Sequence, residues 1–273
     1  MSTADDLKIK HENPVEIADG VFWVGFYDIE SGLHCNPYLI VDNDEAVIID
    51  GGSRPDFPIV MMKIFQTGIS PKSIKTLIYQ HYDPDLCGSV SNFEDIISNK
   101  DLKILTSKEN SMFIRHYSVT SDIHHIEQND FKYRFSSGRE LEFILTPFSH
   151  SAGSFVTLDK KNSLLFTSDL FGSYGKDWEL YLDIDSDCYT CNDYSDCPNK
   201  KPECPFVAIL EFHKRVMTSN KALRYAMNMI RELQFDIVAP QHGSIIKDKS
   251  VIDLVINNLS NYNEIGIDGI SKV

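Results

Sequence analysis

The stretch LIYQHYDPDLCG, residues 77–88, decides how the rest of the chain is interpreted. Its first four residues are typical of the end of a buried strand, and Gly88 allows a turn into a helix. Between them, His81, Asp83 and Asp85 stand at alternate positions. One imidazole and two carboxylates in a tight loop are costly to desolvate unless a cation lies among them. The stretch therefore predicts a metal site. The alternative is an ordinary polar loop, because Asp and His are common in turns.

Three further strand-like segments also end at a possible metal ligand. EFILTPFSH ends at His150, LLFTSD ends at Asp169, and FDIVAPQH ends at His242. Folds of the α/β class gather site residues at one edge of their sheets, beyond the strand ends. Four such strand ends together favour one metal site over four unrelated loops.

These motifs resemble the metallo-β-lactamase superfamily and, within it, the flavodiiron proteins and related oxygen-binding diiron proteins. The superfamily pattern is His-x-His-x-Asp-His, followed by a His, a bridging Asp and a final His. Flavodiiron proteins carry a carboxylate at the second position, where this chain has Asp83. The resemblance extends from about Gly20 to Ile256, and it includes NPYLI at 36–40, VIIDGG at 47–52, LFTSDLFG at 165–172 and VMTSNKAL at 216–223.

The resemblance implies a layered α/β (α+β) fold, the αββα sandwich, as a single domain over residues 1–273. It also implies a non-heme diiron centre. In that centre one iron is bound by His81, Asp83 and His150, the other is bound by Asp85 and His242, and Asp169 bridges the two. Carboxylate-rich sets suit iron more than zinc. Relatives further use the equivalent of Asp50 to support the site by hydrogen bonds, although an acceptor side chain in a turn is the alternative.

Two departures from the family pattern change the expectations. The superfamily places a His directly after the Asp of its first motif, and this chain has Leu86 there. The second iron then loses a nitrogen ligand, which either weakens its binding or opens a position for a diatomic gas, and a mononuclear site is also conceivable. Flavodiiron proteins continue into a flavodoxin domain, and the sequence after His242 has no phosphate-binding loop. We therefore expect no bound flavin and an external electron donor.

A second candidate metal site lies in the cysteine-rich insertion at residues 188–204. Cys188, Cys191, Cys197 and Cys204 have the spacing C-x2-C-x5-C-x6-C in a polar segment with little apolar content to bury. Such spacing suits tetrahedral Zn²⁺ or Fe, and an iron–sulfur cluster is also chemically possible. The alternative is four thiols or two disulfides. The family resemblance does not extend to this insertion.

Composition limits the partners. The 273 residues are 42% hydrophobic, and 26 basic against 40 acidic residues give a net charge of −14. This balance argues against nucleic acid and anionic membranes. No 18-residue apolar run is present and residues 1–10 are polar, so we expect neither a spanning helix nor a secretory signal, and a cytoplasmic location. The family resemblance implies a homodimer.

Three functions from different classes remain open at this point. The first is a diiron gas sensor that binds O₂ and signals to another protein. The second is a diiron O₂ or NO reductase supplied with electrons by a separate redox protein. The third is a zinc-dependent hydrolase of thioesters, lactones or phosphoesters. Asp83 in place of a His, together with Leu86, disfavours the third. The sequence does not decide between sensor and enzyme.

Four further residues are considered one by one. His34 and Cys35 occupy a loop that lies beside the metals in relatives, and the sequence does not assign them a role. Cys87 is expected at a helix start, where its pKa would be lowered. His213 is expected on the surface of a helix.

Overall fold

The computed structural model describes residues 12–28, 30–176, 178–190 and 204–270. The chain divides into two compact units. Unit 1 comprises residues up to Asp28 together with His34–Leu141, and unit 2 comprises Ile29–Leu33 together with Glu142 onward. The single domain predicted from the sequence stays a prediction.

Unit 1 is built on a seven-stranded sheet in which the strands follow one another in chain order. The strands from β1 to β4 pair antiparallel, whereas those from β4 to β7 pair parallel. Parallel neighbours end at the same edge of the sheet, so polar residues that follow them collect there. The strands are β1 (Val15–Ala18), β2 (Val21–Trp23), β3 (Tyr38–Asp42), β4 (Glu45–Ile49), β5 (Ile74–Ile78), β6 (Lys103–Thr106) and β7 (Asp122–His125).

The helices of unit 1 cover this sheet with apolar side chains. One cluster of buried residues joins Leu39, Ile48 and Leu77 of the strands to Val60 and Phe93 of the helices. A further short strand, β8 (Lys132–Arg134), follows β7. The helices are α1 (Phe57–Gln66), α2 (Pro84–Cys87), α3 (Val90–Ile97) and α4 (Lys108–Ile114).

Unit 2 contains the second sheet, whose strands within this unit have the order β12-β11-β10-β9. Strand β9 (Glu140–Leu145) begins at the end of unit 1, and it is followed by β10 (Phe155–Asp159), β11 (Leu164–Phe166) and β12 (Ile237–Ala239). A cluster of buried residues packs Leu165 and Val238 of the sheet against Leu210, Leu223 and Ile252 of the helices. These helices are α5 (Pro205–Val216), α6 (Asn220–Arg231), α7 (Lys249–Asn261) and α8 (Ile267–Ile270).

The α/β class predicted from the sequence is confirmed by these two sheets and their helices. Helix α5 contains His213, which the sequence places on a helix. Among the described residues, no helix combines the length and the apolar character needed to cross a bilayer.

A buried lysine lies inside unit 1. Lys63 of α1 is 0% exposed, its ammonium lies 3.9 Å from the centre of the Trp23 ring, and it donates to the carbonyl of Gly25. Burial lowers the pKa of Lys63 to about 7, against an opposing effect of Glu12. The unfolded chain therefore binds one more proton than the folded chain over much of the range between that pKa and the ordinary value of 10.5. The contribution of Lys63 to the free energy of unfolding therefore rises with pH across that window.

Replacement of Lys63 by Met is expected to remove this pH dependence. Between pH 7 and pH 9, the free energy of unfolding of the wild type should gain about 2 kcal/mol on that of Lys63→Met. Urea denaturation at the two pH values measures the difference. Lys72→Met, at an exposed position of the same unit, should follow the wild type. Parallel curves for the wild type and Lys63→Met would contradict the assigned titration.

Candidate metal centre

In unit 1, Asp50 and Gln80 hold the chain that leads to His81. The two residues follow the parallel strands β4 and β5, so they meet at the same edge of the sheet. The Gln80 backbone N–H donates to one carboxylate oxygen of Asp50 and its side-chain amide donates to the other, each at 2.9 Å. All three residues are about 1% exposed. The hydrogen bonds fix the backbone beside the His81 imidazole.

The short helix α2 places the two carboxylates that follow His81. Asp83 is the N-cap of α2, and its carbonyl accepts hydrogen bonds from Leu86 at 3.1 Å and from Cys87 at 2.9 Å. Pro84 takes the first helical position, where its missing N–H costs nothing. Nε2 of His81 lies 3.9 Å from a carboxylate oxygen of Asp83. Strand β5 and helix α2 thus bring an imidazole and a carboxylate near each other, as the spacing predicted.

Leu86 and Cys87 point into the apolar interior of unit 1. Both are 0% exposed and belong to the same buried cluster as Phe93. Burial raises the pKa of the Cys87 thiol well above its ordinary value, and the carboxylates of Asp50, Asp85 and Asp83 act in the same direction. The expected lowering of this pKa was wrong. Cys87 ends the four-residue helix, and its thiol donates to the His81 carbonyl at 3.4 Å.

The loop that precedes β3 supplies a residue that the sequence left without a role. The sulfur of Cys35 lies within 4.8 Å of a carboxylate oxygen of Asp85, and Cys35 is 4% exposed. His34 stacks on Tyr27 at 4.9 Å, and its Nδ1 accepts a hydrogen bond from the Asp28 backbone at 2.9 Å. His34 therefore organises the loop, whereas Cys35 adds a sulfur donor beside Asp85.

In unit 2, the parallel pairing of β11 with β12 brings two ligand loops together. Phe166 and Ala239 are register partners at the strand ends, and Asp169 and His242 each follow three residues later. The Ser168 carbonyl accepts from the Gln241 backbone at 2.8 Å, which ties the loops to each other. His150 comes from the loop after β9.

Asp169 lies between two imidazoles. One of its carboxylate oxygens is 3.0 Å from Nε2 of His150, and the other is 3.7 Å from Nε2 of His242. Asp169 is only 3% exposed and His242 only 2%. Donors about 2.1 Å from a common ion are separated by about 3–4 Å, depending on the angle. The spacing of these three groups is therefore in the range found between donors that share a metal ion.

Next to His242, the side chain of Gln241 is 1% exposed, and neither its amide nitrogen nor its amide oxygen has a hydrogen-bond partner among the described residues. Buried amides nearly always have a partner, so such a group indicates a bound water, ion or ligand. Gln241 is a residue that the sequence analysis missed, because a Gln before a ligand carries no distinctive pattern.

His213 is buried, so the expectation of a surface position was wrong. It is 0% exposed on α5, and its ring accepts a hydrogen bond from the backbone of Phe171, two residues after Asp169. The neighbouring Phe212 packs against His242, with ring centres 5.7 Å apart. Charged residues stand beside His213 in the sequence, and they led to the prediction of an exposed position.

The cysteine-rich insertion is described at its two ends. Cys191 and Cys197 lie outside the described residues. Cys188 lies in a 3₁₀ turn, Ser186–Thr190, and Cys204 is the N-cap of α5. Both described cysteines are partly buried against the apolar cluster of unit 2. The four-cysteine metal site stays a prediction.

A comparison with known protein families shows to which family the chain belongs. The family described as "ODP family beta lactamase" matches residues 33–243, well over half of the sequence. The chain belongs to the ODP beta-lactamase family. This assignment confirms the predicted relationship to metallo-β-lactamase-fold diiron proteins.

Solved structures and curated relatives of this ODP family chain agree with the assignment. The apo state of the chemotaxis sensor ODP from T. denticola is 26% identical with a TM-score of 0.72, covering 94% of this chain and 96% of that one. A structure described as the peroxy diiron species of chemotaxis sensor ODP is 25% identical with a TM-score of 0.71, covering 94% of this chain and 97% of that one. Type A flavoprotein fprA of Rhodobacter capsulatus is 26% identical over 86% of this chain and 52% of its own length. The chain spans about half the length of the curated relatives it matches.

Loss of the Asp50 carboxylate is expected to weaken metal binding in this ODP family chain. Asp50→Ala leaves both donors of Gln80 without their acceptor and frees the backbone beside His81. Removal of such supporting groups typically costs 10–100-fold in metal affinity. Iron affinity in competition with a chelator measures the effect.

The matched control is Asp42→Ala, because Asp42 is another buried carboxylate of unit 1 and faces Arg139 at 3.9 Å. This control should lower the melting temperature but keep the iron affinity. Equal affinities in both variants and the wild type would refute the role of Asp50.

Proposed function

We propose that this chain is a non-heme diiron protein that binds O₂ or NO and acts as a gas sensor. The proposed ligands are His81, Asp83, Asp85, His150, Asp169 and His242. The observation that carries the proposal is the placement of Asp169 in unit 2, with one carboxylate oxygen toward His150 and the other toward His242. Such an arrangement suits a carboxylate shared by two ions.

The donor chemistry fits iron. Three imidazoles and three carboxylates form a set richer in oxygen than the sets typical of hydrolytic zinc sites, and carboxylates stabilise ferric iron. When bound, two ferrous ions with open positions can take up a diatomic gas and supply electrons to it. The family assignment and the diiron state named for the ODP structure favour this interpretation over a zinc hydrolase.

In the proposed centre, His81, Asp83 and His150 would hold one iron, Asp85 and His242 would hold the other, and Asp169 would serve both. Leu86 offers no donor atom, and its side chain packs among apolar residues of unit 1. The ion held by Asp85 and His242 would therefore have fewer protein donors, which would leave room for a gas. The buried Gln241 amide, adjacent to His242, can donate to an oxygen atom or accept from a water at such a site.

Relatives that align with this chain over nearly their whole length favour sensing over turnover. The chemotaxis sensor ODP and this chain each cover more than nine-tenths of the other. A reductase supplied by an external redox protein is the second candidate, since relatives that contain this region include an anaerobic nitric oxide reductase flavorubredoxin of Vibrio vulnificus.

The remaining expectations are part of the same proposal. Cys188, Cys191, Cys197 and Cys204 bind Zn or Fe in a small insertion within a single domain. The protein acts as a homodimer in the cytoplasm, without a bound flavin, and it reports to a separate redox or signalling protein. The net charge of −14 suits a partner with a basic surface and disfavours nucleic acid and anionic membranes.

Metal analysis after anaerobic purification is the first test. We expect about two irons per chain in addition to any metal held by the cysteines. The double variant Cys188→Ser, Cys204→Ser measures the metal content without the cysteine site, so that the contribution of the cysteines can be subtracted. Asp169→Ala and His81→Ala should each lower the remaining iron content by more than about tenfold, because each removes a donor that holds the ion directly. His116→Ala, at an exposed site, is the control. Zinc alone, or normal iron in Asp169→Ala, would overturn the proposal.

A pulse of O₂ to the reduced, iron-loaded protein separates the two functions. A sensor should give a long-lived visible absorption band and consume about one O₂ per centre. A reductase, given an artificial electron donor, should consume O₂ or NO continuously. Sustained turnover would replace the sensor by the second candidate.

A further inference from the structure

Helix α5 contacts two of the ligand-bearing loops of unit 2, those of Asp169 and His242, through two adjacent residues. His213 is 0% exposed and Phe212 is 3% exposed, although Lys214 and Arg215 follow them directly. His213 contacts the loop that carries Asp169, and Phe212 contacts His242. One turn of one helix therefore touches both sides of the carboxylate–imidazole arrangement.

The hydrogen bonds of His213 define its tautomer. Its Nδ1 lies 2.7 Å from the Ile209 carbonyl oxygen, which can only accept, so Nδ1 carries the proton. Its Nε2 is then the acceptor, and it receives the Phe171 backbone N–H at 3.2 Å. Burial lowers the pKa of His213 to about 4, although the Ile209 hydrogen bond and the charge of Asp169 act in the opposite direction. The ring therefore remains neutral and accepts at Nε2 near neutral pH.

The loop that receives this support has an uncommon backbone. Ser168 and Phe171, on either side of Asp169, have φ values of 52° and 64°, in the left-handed region that non-glycine residues rarely adopt. The loop closes on itself through Thr167 Oγ1 to the Leu170 carbonyl at 2.6 Å and Gly172 N–H to the Asp169 carbonyl at 3.0 Å. The conformation needs outside support, since strained residues persist only where their surroundings fix them.

Within the part of the chain that the structure describes, the Phe171 N–H has no acceptor other than Nε2 of His213. Phe171 is 1% exposed, and a buried backbone N–H without a partner carries a substantial free-energy cost. Nε2 of His213 provides the acceptor from outside the loop. The next residue, Gly172, admits Phe212 closely, because a Cβ there would come within 2.7 Å of the Phe212 ring. A side chain at residue 172 would push this helix away from the loop.

We propose that His213 is a positioning residue of the metal centre, which fixes the loop 168–172 through the Phe171 N–H so that the Asp169 carboxylate spans His150 and His242. This inference rests on the proposed iron site. His213 acts through the backbone and not as a ligand. Its contribution is to hold the two carboxylate oxygens in the orientation that two ions require.

Three substitutions at His213 test the inference on the intact chain. His213→Gln places a side-chain oxygen at about the position of Nε2 and keeps the acceptor for Phe171. His213→Asn is too short to reach Phe171, and His213→Leu has no acceptor at all. Iron affinity in competition with a chelator, the visible spectrum of the iron-loaded protein and the melting temperature of the apoprotein are measured for each.

We expect Asn and Leu to weaken iron binding by about 10–100-fold and to shift the visible spectrum, whereas Gln stays within about threefold of the wild type. The matched control is Leu259→Ala on α7, a 1% exposed core residue whose loss destabilises unit 2 without removing a hydrogen bond from the Asp169 loop. This control should lower the melting temperature only.

The outcomes separate this inference from the proposed function. A wild type that binds no iron in the six-ligand centre refutes the proposed function and the inference with it. A wild type that binds iron, with Asn and Leu variants of equal affinity and spectrum, refutes the inference alone. If His213→Leu does not fold, the comparison of Gln with Asn decides, and equal behaviour of those two overturns the role of His213.

Discussion

The candidate metal centre in unit 2 is arranged around one buried carboxylate. Asp169 is 3% exposed, and an anion removed from water needs charged or hydrogen-bonding partners. Two imidazoles approach it from different loops, and the Thr167 N–H donates to the Ala239 carbonyl at 3.1 Å, which ties the Asp169 loop to the His242 loop. The parallel pairing of β11 and β12 makes this possible, because it ends both strands at the same level. Strand register and loop conformation together place the donors around this carboxylate.

Candidate ligands could be proposed from the sequence because His81, Asp169 and His242 each lie three residues after a buried strand. In such segments the apolar run and the polar group stand side by side in the sequence, as with Ile78 and His81 or Ala239 and His242. The mixed α/β class followed from the same alternation of strands and helices. The family resemblance supplied the pairing of ligands with ions, which spacing alone does not give.

Supporting residues were harder to predict, because their burial is decided by distant parts of the chain. His213 stands among charged residues on an amphipathic helix, and only the need of Phe171 for an acceptor explains its position. Cys87 shows the same difficulty. Its thiol lies in an apolar environment, and a helix of only four residues provides no favourable dipole to lower its pKa. The burial of Lys63 could not be predicted for a similar reason, because its partner Trp23 lies on another element.

Helix α5 connects Cys204 to the loops that carry the candidate ligands Asp169 and His242. It begins at Pro205 and carries His213, which lies nine residues after Cys204, about 14 Å at the rise of an α-helix. Helices of this length move as stiff rods, so a displacement of the first turn travels to the far end with little loss. A displacement of this helix at Cys204 would therefore reach the Phe171 N–H through His213.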